Sequence, residues 1–319
     1  MAESRPLVTD PAAAIRYGVD IGGTKIELVA CDATMAVRYR RRIDTPQHSY
    51  EAFLDGVVAL VQTADAELGA ACDAVGMGLP GIRDRASGRQ VSSNVPALTG
   101  RRVGEDLRAR LRRPLYLGND CQCFALSEAY GGAAAGYPSM FGATIGTGAG
   151  GGFCVDGRLI AGGNGIAGEW GHWTVSAALL AQHQLPLLDC ACGLRGCVER
   201  YVSGGGLARI HRQLGGEELD AIALDARAAQ GDARAMRALE IHHDLLGHSL
   251  AALVLALDPH VIVLGGGLSK SEALFRAMPA AVARHLFEGV HVPPILPPAF
   301  GDAGGARGAA LLARQHGPS

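Results

Sequence analysis

Two short apolar runs in this chain each enter a glycine-rich bend and emerge as a second apolar run, 124 residues apart. Tyr17-Gly18-Val19-Asp20-Ile21-Gly22 aligns with Phe141-Gly142-Ala143-Thr144-Ile145-Gly146, and the register is expected to hold as far as Asp32 against Asp156. A strand, a bend and a returning strand make a hairpin. A hairpin repeated across more than a hundred residues points to duplicated domains rather than a solenoid. The 319 residues allow one to three domains. At 48% hydrophobic and 19% charged, the chain can bury a large core, which excludes intrinsic disorder.

Charge excludes a second class. Lys and Arg number 29 against 31 Asp and Glu, a formal charge of −2, with no basic stripe for a nucleic acid. The one basic run, Arg38 with Arg40, Arg41 and Arg42, reads as a solvated strand edge. No segment approaches the ~18–20 apolar residues of a membrane span; Leu250–Leu264 is broken by Asp258, Pro259 and His260. Met1–Ala14 has no apolar signal core and reads as a frayed tail. Eight cysteines lack the pattern of a secreted scaffold, so a reducing, cytoplasmic setting is expected.

Periodicity predicts strands at Tyr17–Ile21, Ile26–Cys31, Ala74–Leu79, Leu115–Leu117 and His260–Leu264. Helices are expected over Ala52–Leu68, from Asp120 to about Tyr130, and over Asp220–Gln230, Ala233–Leu257 and Gly304–Gln315. Asp302 or a neighbour would cap the last of these. Pro293–Pro298 reads as a stiff connector where the chain crosses between domains.

Asp20-Ile21-Gly22-Gly23-Thr24-Lys25 puts a carboxylate at a strand end and backbone amides in the bend beyond it. Such amides can approach an anion, Thr24 and Lys25 add a hydroxyl and a cation, and Asp20 stands where it could hold a hydrated Mg²⁺ beside a nucleotide. An ordinary tight hairpin is the alternative. Gly146-Thr147-Gly148-Ala149-Gly150-Gly151-Gly152 repeats the device with so much glycine that close approach of a ligand is the expected reason. Gly265-Gly266-Gly267 follows a buried strand, the usual place of a ligand crevice in an α/β sheet. Asn119-Asp120 follows a strand and opens a helix: Asp120 is either an N-cap or, beside two phosphate loops, a base that activates an acceptor hydroxyl.

Gly168-Glu169-Trp170-Gly171-His172 is followed within 25 residues by Cys190, Cys192 and Cys197 around Gly193. Three thiolates and one imidazole complete the tetrahedral shell of a structural Zn²⁺. Three buried free cysteines are the alternative. Cys31, Cys72, Cys121, Cys123 and Cys154 are not grouped and read as small core residues.

From Tyr17 to about Leu312 the chain resembles the ROK family of repressors, open reading frames and sugar kinases. The resemblance is carried by Asp20–Lys25, Gly78-Leu79-Pro80-Gly81, Asn119-Asp120, Gly146–Gly152, Glu169–His172, Cys190–Glu199 and Gly265–Gly267. It implies an α/β, two-domain, actin-like ATPase (ribonuclease H-like) fold with an interdomain cleft. The corresponding division is a small domain of residues 1–119, closed by a C-terminal helix through 303–319, and a large domain of residues 120–302 with the zinc site. It implies ATP with Mg²⁺, held by Asp20, Gly22, Gly23, Thr24, Lys25, Gly146, Thr147, Gly148, Gly265 and Gly266. Asp120 would be the general base; Asn94, Asn119, Asp120, Glu169, His172 and Glu199 would contact the sugar. Zinc would be held by His172, Cys190, Cys192 and Cys197, and the partner would be a second copy in a homodimer.

Within the family, Ser93-Asn94-Val95-Pro96-Ala97 is similar to the bacterial N-acetyl-D-glucosamine kinases, with Asn94, Val95 and Pro96 placed to line the sugar's 2-position. Gly131–Gly136, Gly163-Asn164-Gly165 and Ala167–His172 are equally similar to fructokinases and mannokinases. The expected activity is ATP-dependent phosphorylation of a sugar 6-hydroxyl, N-acetyl-D-glucosamine first. A sugar-responsive repressor would need a helix-turn-helix before Tyr17, where too few residues stand. A sugar-binding module without turnover is opposed by Asp20, Lys25 and Asp120 occurring together.

Overall fold

The computed structural model describes residues 15–92, 94–301 and 304–316. The expected tail Met1–Ala14 and the expected cap Asp302 lie outside them. The described residues divide into two compact units, one drawn from Met1–Cys123 and Gly305–Ser319, the other from Phe124–Gly304. Among the described residues no helix is long and apolar enough to cross a membrane.

The first unit runs β1 (Arg16–Ile21), β2 (Lys25–Cys31), β3 (Val37–Asp44), α1 (Tyr50–Leu68), β4 (Val75–Leu79), β5 (Ile82–Arg83), β6 (Gln90–Val91), α2 (Val103–Leu111), β7 (Leu115–Asn119) and the start of α3 (Asp120–Ala129). Its five-stranded sheet has the order β3-β2-β1-β4-β7, with β1 to β3 an antiparallel meander and β1, β4 and β7 parallel. Tyr17, Val19, Ile21, Val75 and Met77 point to one face and build a core with Phe53, Val57 and Val61 of α1. Ser49 caps α1 at Ala52 N and Gly69 ends it in the left-handed conformation.

The opposite face takes the last helix, which rejoins this unit after the whole second unit. A β-carbon on Gly18 or Gly76 would overlap that helix's backbone at Ala306 or Ala309, so strand and helix touch only because both positions lack one. β3 is the expected edge strand, but its arginines are not simply solvated. Arg40 Nε and Arg42 reach the Glu27 carboxylate at 2.9 and 3.0 Å, and Glu27 is buried.

The second unit runs from the end of α3 through β8 (Ser139–Ile145), β9 (Ala149–Val155), β10 (Arg158–Leu159), α4 (Ala177–Gln182), α5 (Glu199–Val202), α6 (Gly204–Gln213), α7 (Ala221–Ala229), α8 (Ala233–Leu257), β11 (Val261–Gly265), α9 (Glu272–Ala283) and β12 (Ile295–Leu296) to the first residue of α10 (Gly304–His316). Its sheet order, β10-β9-β8-β11-β12, repeats the first: an antiparallel meander followed by two parallel strands. Phe141, Ile145, Ile262 and Leu264 face the apolar sides of α8 and α9. Gly142, aligned with Gly18, lets α3 approach the other face at Ala125. Within the expected proline connector at 293–298, Ile295 and Leu296 form the edge strand on β11, and the chain returns to the first unit after Gly304.

The repeat is real in topology, yet the expected register fails after the bend. Tyr17 pairs with Ala30, whereas Phe141 pairs with Phe153, so the offset drops from 124 to 123. The second bend is one residue shorter, and Asp156 is not the partner of Asp32. Asp156 and Gly157 instead form a two-residue turn with φ of 49° and 70°, the Asp-Gly signature of a hairpin.

Candidate active site and metal centre

In the first unit β1, β4 and β7 end side by side, at Ile21, Leu79 and Asn119, with Asp20 beside Gly78, the carboxyl edge where α/β sheets bind ligands. Gly78 separates the two acids. A β-carbon there would stand 3.4 Å from Asp20 Oδ1 and 3.4 Å from Asp120 Cα. Burial first, then Asp120 and Glu27, push Asp20 up to about 7, against the pull of Lys25. Burial also raises Asp120 above the usual carboxylate range, opposed by the Cys121 amide.

The N-cap alternative for Asp120 does not hold, because its neighbour carries the cap. Asn119 Oδ1 accepts from Cys121 N at 2.9 Å and Gln122 N at 3.2 Å, while Asn119 Nδ2 donates to Gly81 O at 3.0 Å. Asp120 is therefore the first helical residue, and its own contact is to the adjacent Cys121 N at 2.9 Å.

The bend between β1 and β2 is held by its carbonyls. Thr45 Oγ1 donates to Gly22 O at 2.8 Å, Thr45 N to Thr24 O at 3.0 Å and Gln47 Nε2 to Gly23 O. Gly22 N is used within the bend, on Lys25 O at 2.9 Å. Gly23 N and Thr24 N have no hydrogen-bond partner among the described residues, so they are the amides that remain for an anion. Asn94 backs this bend: its carbonyl lies 3.3 Å from a β-carbon placed on Gly23. Asn94 and Pro96 are exposed, but Val95 is fully buried in the core and lines no sugar surface.

The second unit repeats the bend between β8 and β9. Gly146 N is again used internally, on Gly148 O at 2.9 Å, and Gly146 O accepts from Gly204 N at 2.9 Å. That bond brings the start of α6 to the bend, and Gly267 N lies 3.5 Å from a β-carbon placed on Gly146. Sequence reasoning missed Gly204. Its signal was Ser203 before three glycines and the helically spaced Leu207 and Ile210, with Ser203 Oγ capping at Gly206 N.

Beside the expected ligand, Gly148 of this bend has an internal reason. A β-carbon on Gly148 would stand 2.6 Å from Glu199 Oε2, which also accepts from Ala149 N at 3.0 Å. Gly168 and Gly171 press onto the backbone of Gly151 and Ala149, and Trp170 Nε1 donates to Gly150 O at 2.7 Å. The loop bearing Glu169 and His172 carries glycines because it lies directly on the backbone of this strand, whereas Gly151 itself is hemmed in by Gly142 O and the Phe141 ring of β8.

That loop meets the cysteines. One imidazole nitrogen and the sulfurs of Cys190, Cys192 and Cys197 lie within 4.8 Å of one another. Cys190 Sγ is 3.8 Å from His172 Nδ1 and Cys192 Sγ is 3.6 Å from Cys197 Sγ. Four ligands at ~2.0–2.3 Å from one tetrahedral ion are separated by about 3.5–3.8 Å, so the donor set fits zinc. Burial, then Cys192 and Cys190, push the Cys197 thiol up to about 12. Against its own burial, Cys192 is drawn below the usual thiol range by the Leu194 amide and its two neighbours. A dication would let all three ionise. His172 Nε2 points the other way, 3.9 Å from Glu169 Oε2. Of the ungrouped cysteines, Cys31, Cys72, Cys123 and Cys154 are buried and Cys121 is half-buried; none of them forms a disulfide.

Comparison with known proteins takes in both units at once. A family model described as the ROK family matches residues 16–316. The N-acetylgalactosamine kinase AgaK of Shewanella sp. (strain ANA-3) is 47% identical over 296 residues, 93% of this chain and 96% of that protein. An N-acetyl-D-glucosamine kinase of Photobacterium profundum is 41% identical over 299 residues, 93% and 98% of the two chains. Among solved structures, the ROK hexokinase from Thermus thermophilus superposes with a TM-score of 0.84 at 32% identity, covering 94% of this chain and 98% of that one.

Proposed function

The chain belongs to the ROK family, with its actin-like ATPase fold, and from that premise we propose that it transfers the γ-phosphoryl group of ATP to the 6-hydroxyl of an N-acetylhexosamine, N-acetyl-D-glucosamine first. The observation that carries the amino-sugar reading is identity of 41–47% over 93% of the chain to kinases of N-acetylated hexosamines. The fructokinase and mannokinase segments have no comparable support among those relatives. N-acetyl-D-galactosamine is the second reading, favoured by the 47% identity to AgaK. The two sugars differ only in the configuration of the 4-hydroxyl.

In this reading ionised Asp120 accepts the proton of the sugar 6-hydroxyl. Oxygen O6 attacks the γ-phosphorus, the bond to the β–γ bridging oxygen breaks, and ADP leaves. A base whose pKa is raised by burial is better matched to neutral pH than an exposed carboxylate. Gly23 and Thr24 amides, with Lys25, serve the phosphates, and Asp20 orients the water shell of the Mg²⁺ that accompanies ATP and neutralises its charge. Thr147 and Gly148 with Gly265 and Gly266 supply the second unit's nucleotide contacts. Asn94, Asn119, Glu169, His172 and Glu199 serve the sugar. Zinc on His172, Cys190, Cys192 and Cys197 would fix the loop that carries Glu169.

A coupled ADP-release assay with N-acetylglucosamine, N-acetylgalactosamine, glucose, mannose and fructose tests this. An N-acetylhexosamine should give the highest kcat/KM, and a higher value for fructose or mannose would overturn the substrate class. The ratio between the two N-acetyl sugars decides the first reading against the second.

A further inference from the structure

Among the described residues of the first unit, the large hydrophobic side chains are buried or half-buried with two exceptions, Ile82 at 38% exposed and Val91 at 49%. The two stand directly opposite each other in the ladder of β5 and β6. Opposed residues project from the same face, so they form one apolar pair. The turn between them, Arg83 to Arg89, is polar but for Ala86 and Gly88. Gln90 points away from the pair, buried, with Nε2 donating to Pro80 O at 2.8 Å.

This ribbon is rooted in the catalytic edge of the sheet. Gly81 O, one residue before Ile82, accepts from Asn119 Nδ2, the side chain that caps α3 in front of Asp120. Asn94, three residues after Val91, backs the bend at Gly23. Neither side chain belongs to the apolar core of this unit or packs against it. An N-acetylhexosamine carries hydroxyls, an amide and one methyl. Asn94, Asn119 and Asp120, the sugar residues assigned to this unit, are polar and leave the methyl without an apolar partner.

We propose that Ile82 and Val91 together form the contact for the acetamido methyl and so set the preference for N-acetylated over plain hexoses. This rests on the amino-sugar kinase reading above. The contact is blind to the 4-hydroxyl, so it serves N-acetylglucosamine and N-acetylgalactosamine alike.

The test compares N-acetylglucosamine with glucose, which has a hydroxyl in place of the acetamido group, for wild type, I82S, V91S and the double variant. Each single change should lower the ratio of kcat/KM values about threefold to tenfold, mainly through KM for the acetylated sugar. Glucose kcat/KM should stay within about twofold, and the conservative V91I should retain the wild-type ratio. Melting temperature should hardly move, because both side chains are exposed. An unchanged ratio, or equal losses on both sugars, would overturn the role of the pair while leaving the kinase reading intact. A wild-type protein that phosphorylates neither sugar would remove that reading and the pair's role with it.

Discussion

The two glycine bends share a strand order and a glycine that admits a helix, Gly18 for α10 and Gly142 for α3, but they differ in charge where Asp20 aligns with Thr144. The first has Asp20, crowded by Asp120 and held near neutral pKa. The second has Thr144, whose Oγ1 donates to Gly150 O at 3.0 Å. The second bend also draws its carboxylate from elsewhere, Glu199, and spends it on the Ala149 amide. The two units share a scaffold, and only the first carries a carboxylate at this strand position.

The sharpest break in that asymmetry is at the head of α3. Asp120→Asn should lower kcat about 10²–10⁴-fold while leaving sugar affinity within a few-fold. Because Asn119 carries the cap, the melting temperature should stay near wild type. Near-normal turnover would end the assignment of Asp120 as base.

Exchanging the aligned residues comes next. Asp20→Thr should cost kcat on the order of 10²-fold, as a lost charge-positioning group does. Thr144→Val should cost less than about threefold in kcat and about 1 kcal/mol of stability, the value of one buried hydrogen bond. Comparable kinetic losses from the two would show that the bends share the chemistry equally.

The metal tests the second unit alone. Elemental analysis should give about one zinc per chain, and Cys192→Ser should lose it, lower the melting temperature by several degrees and weaken sugar binding through His172. Metal-free wild type with full activity and unchanged melting would refute the site.

The smallest effect is in acid. Nine of the eleven histidines lie in the second unit. Burial, reinforced by His243, lowers His242 to about 4; burial, reinforced by Arg284, does the same to His243. Between about 6.5 and 4 the unfolded chain therefore binds protons that the folded unit refuses, and stability falls with pH. In the first unit, without nucleotide, Asp20 has the opposite sign. Its folded pKa near 7 exceeds the ordinary ~3.9, so the folded form binds more protons and stability rises as pH falls from 7. Hydrogen exchange at β11 should accelerate relative to β4 between pH 7 and 5. Parallel changes in the two strands would contradict this.

Much of this was legible in the residues because it is local. Strands ending in glycine and proline, and the span of α8 over Ala233–Leu257, follow from spacing and end signals. So did the grouping of His172 with Cys190, Cys192 and Cys197, which stand close together in sequence and meet in the fold. What escaped depends on partners far along the chain. Gly168 and Gly171 lie against the backbone of β9, the shorter second bend shows only in the pairing, and Glu27 finds its arginines on a neighbouring strand. α6 and α9 were missed for a different reason: one begins in three glycines and the other contains Pro279.

The helix that lies against Gly18 and Gly76 also orders events in time. α10 lies beyond the whole second unit in sequence, so a growing chain completes that unit while one face of the first sheet is still bare. The first unit must wait for a closure across about 180 residues, the kind of long-range contact that slows folding and exposes apolar surface meanwhile. A chain cut after Gly304 should yield a folded second unit joined to an open first one, prone to association through β1 and β4.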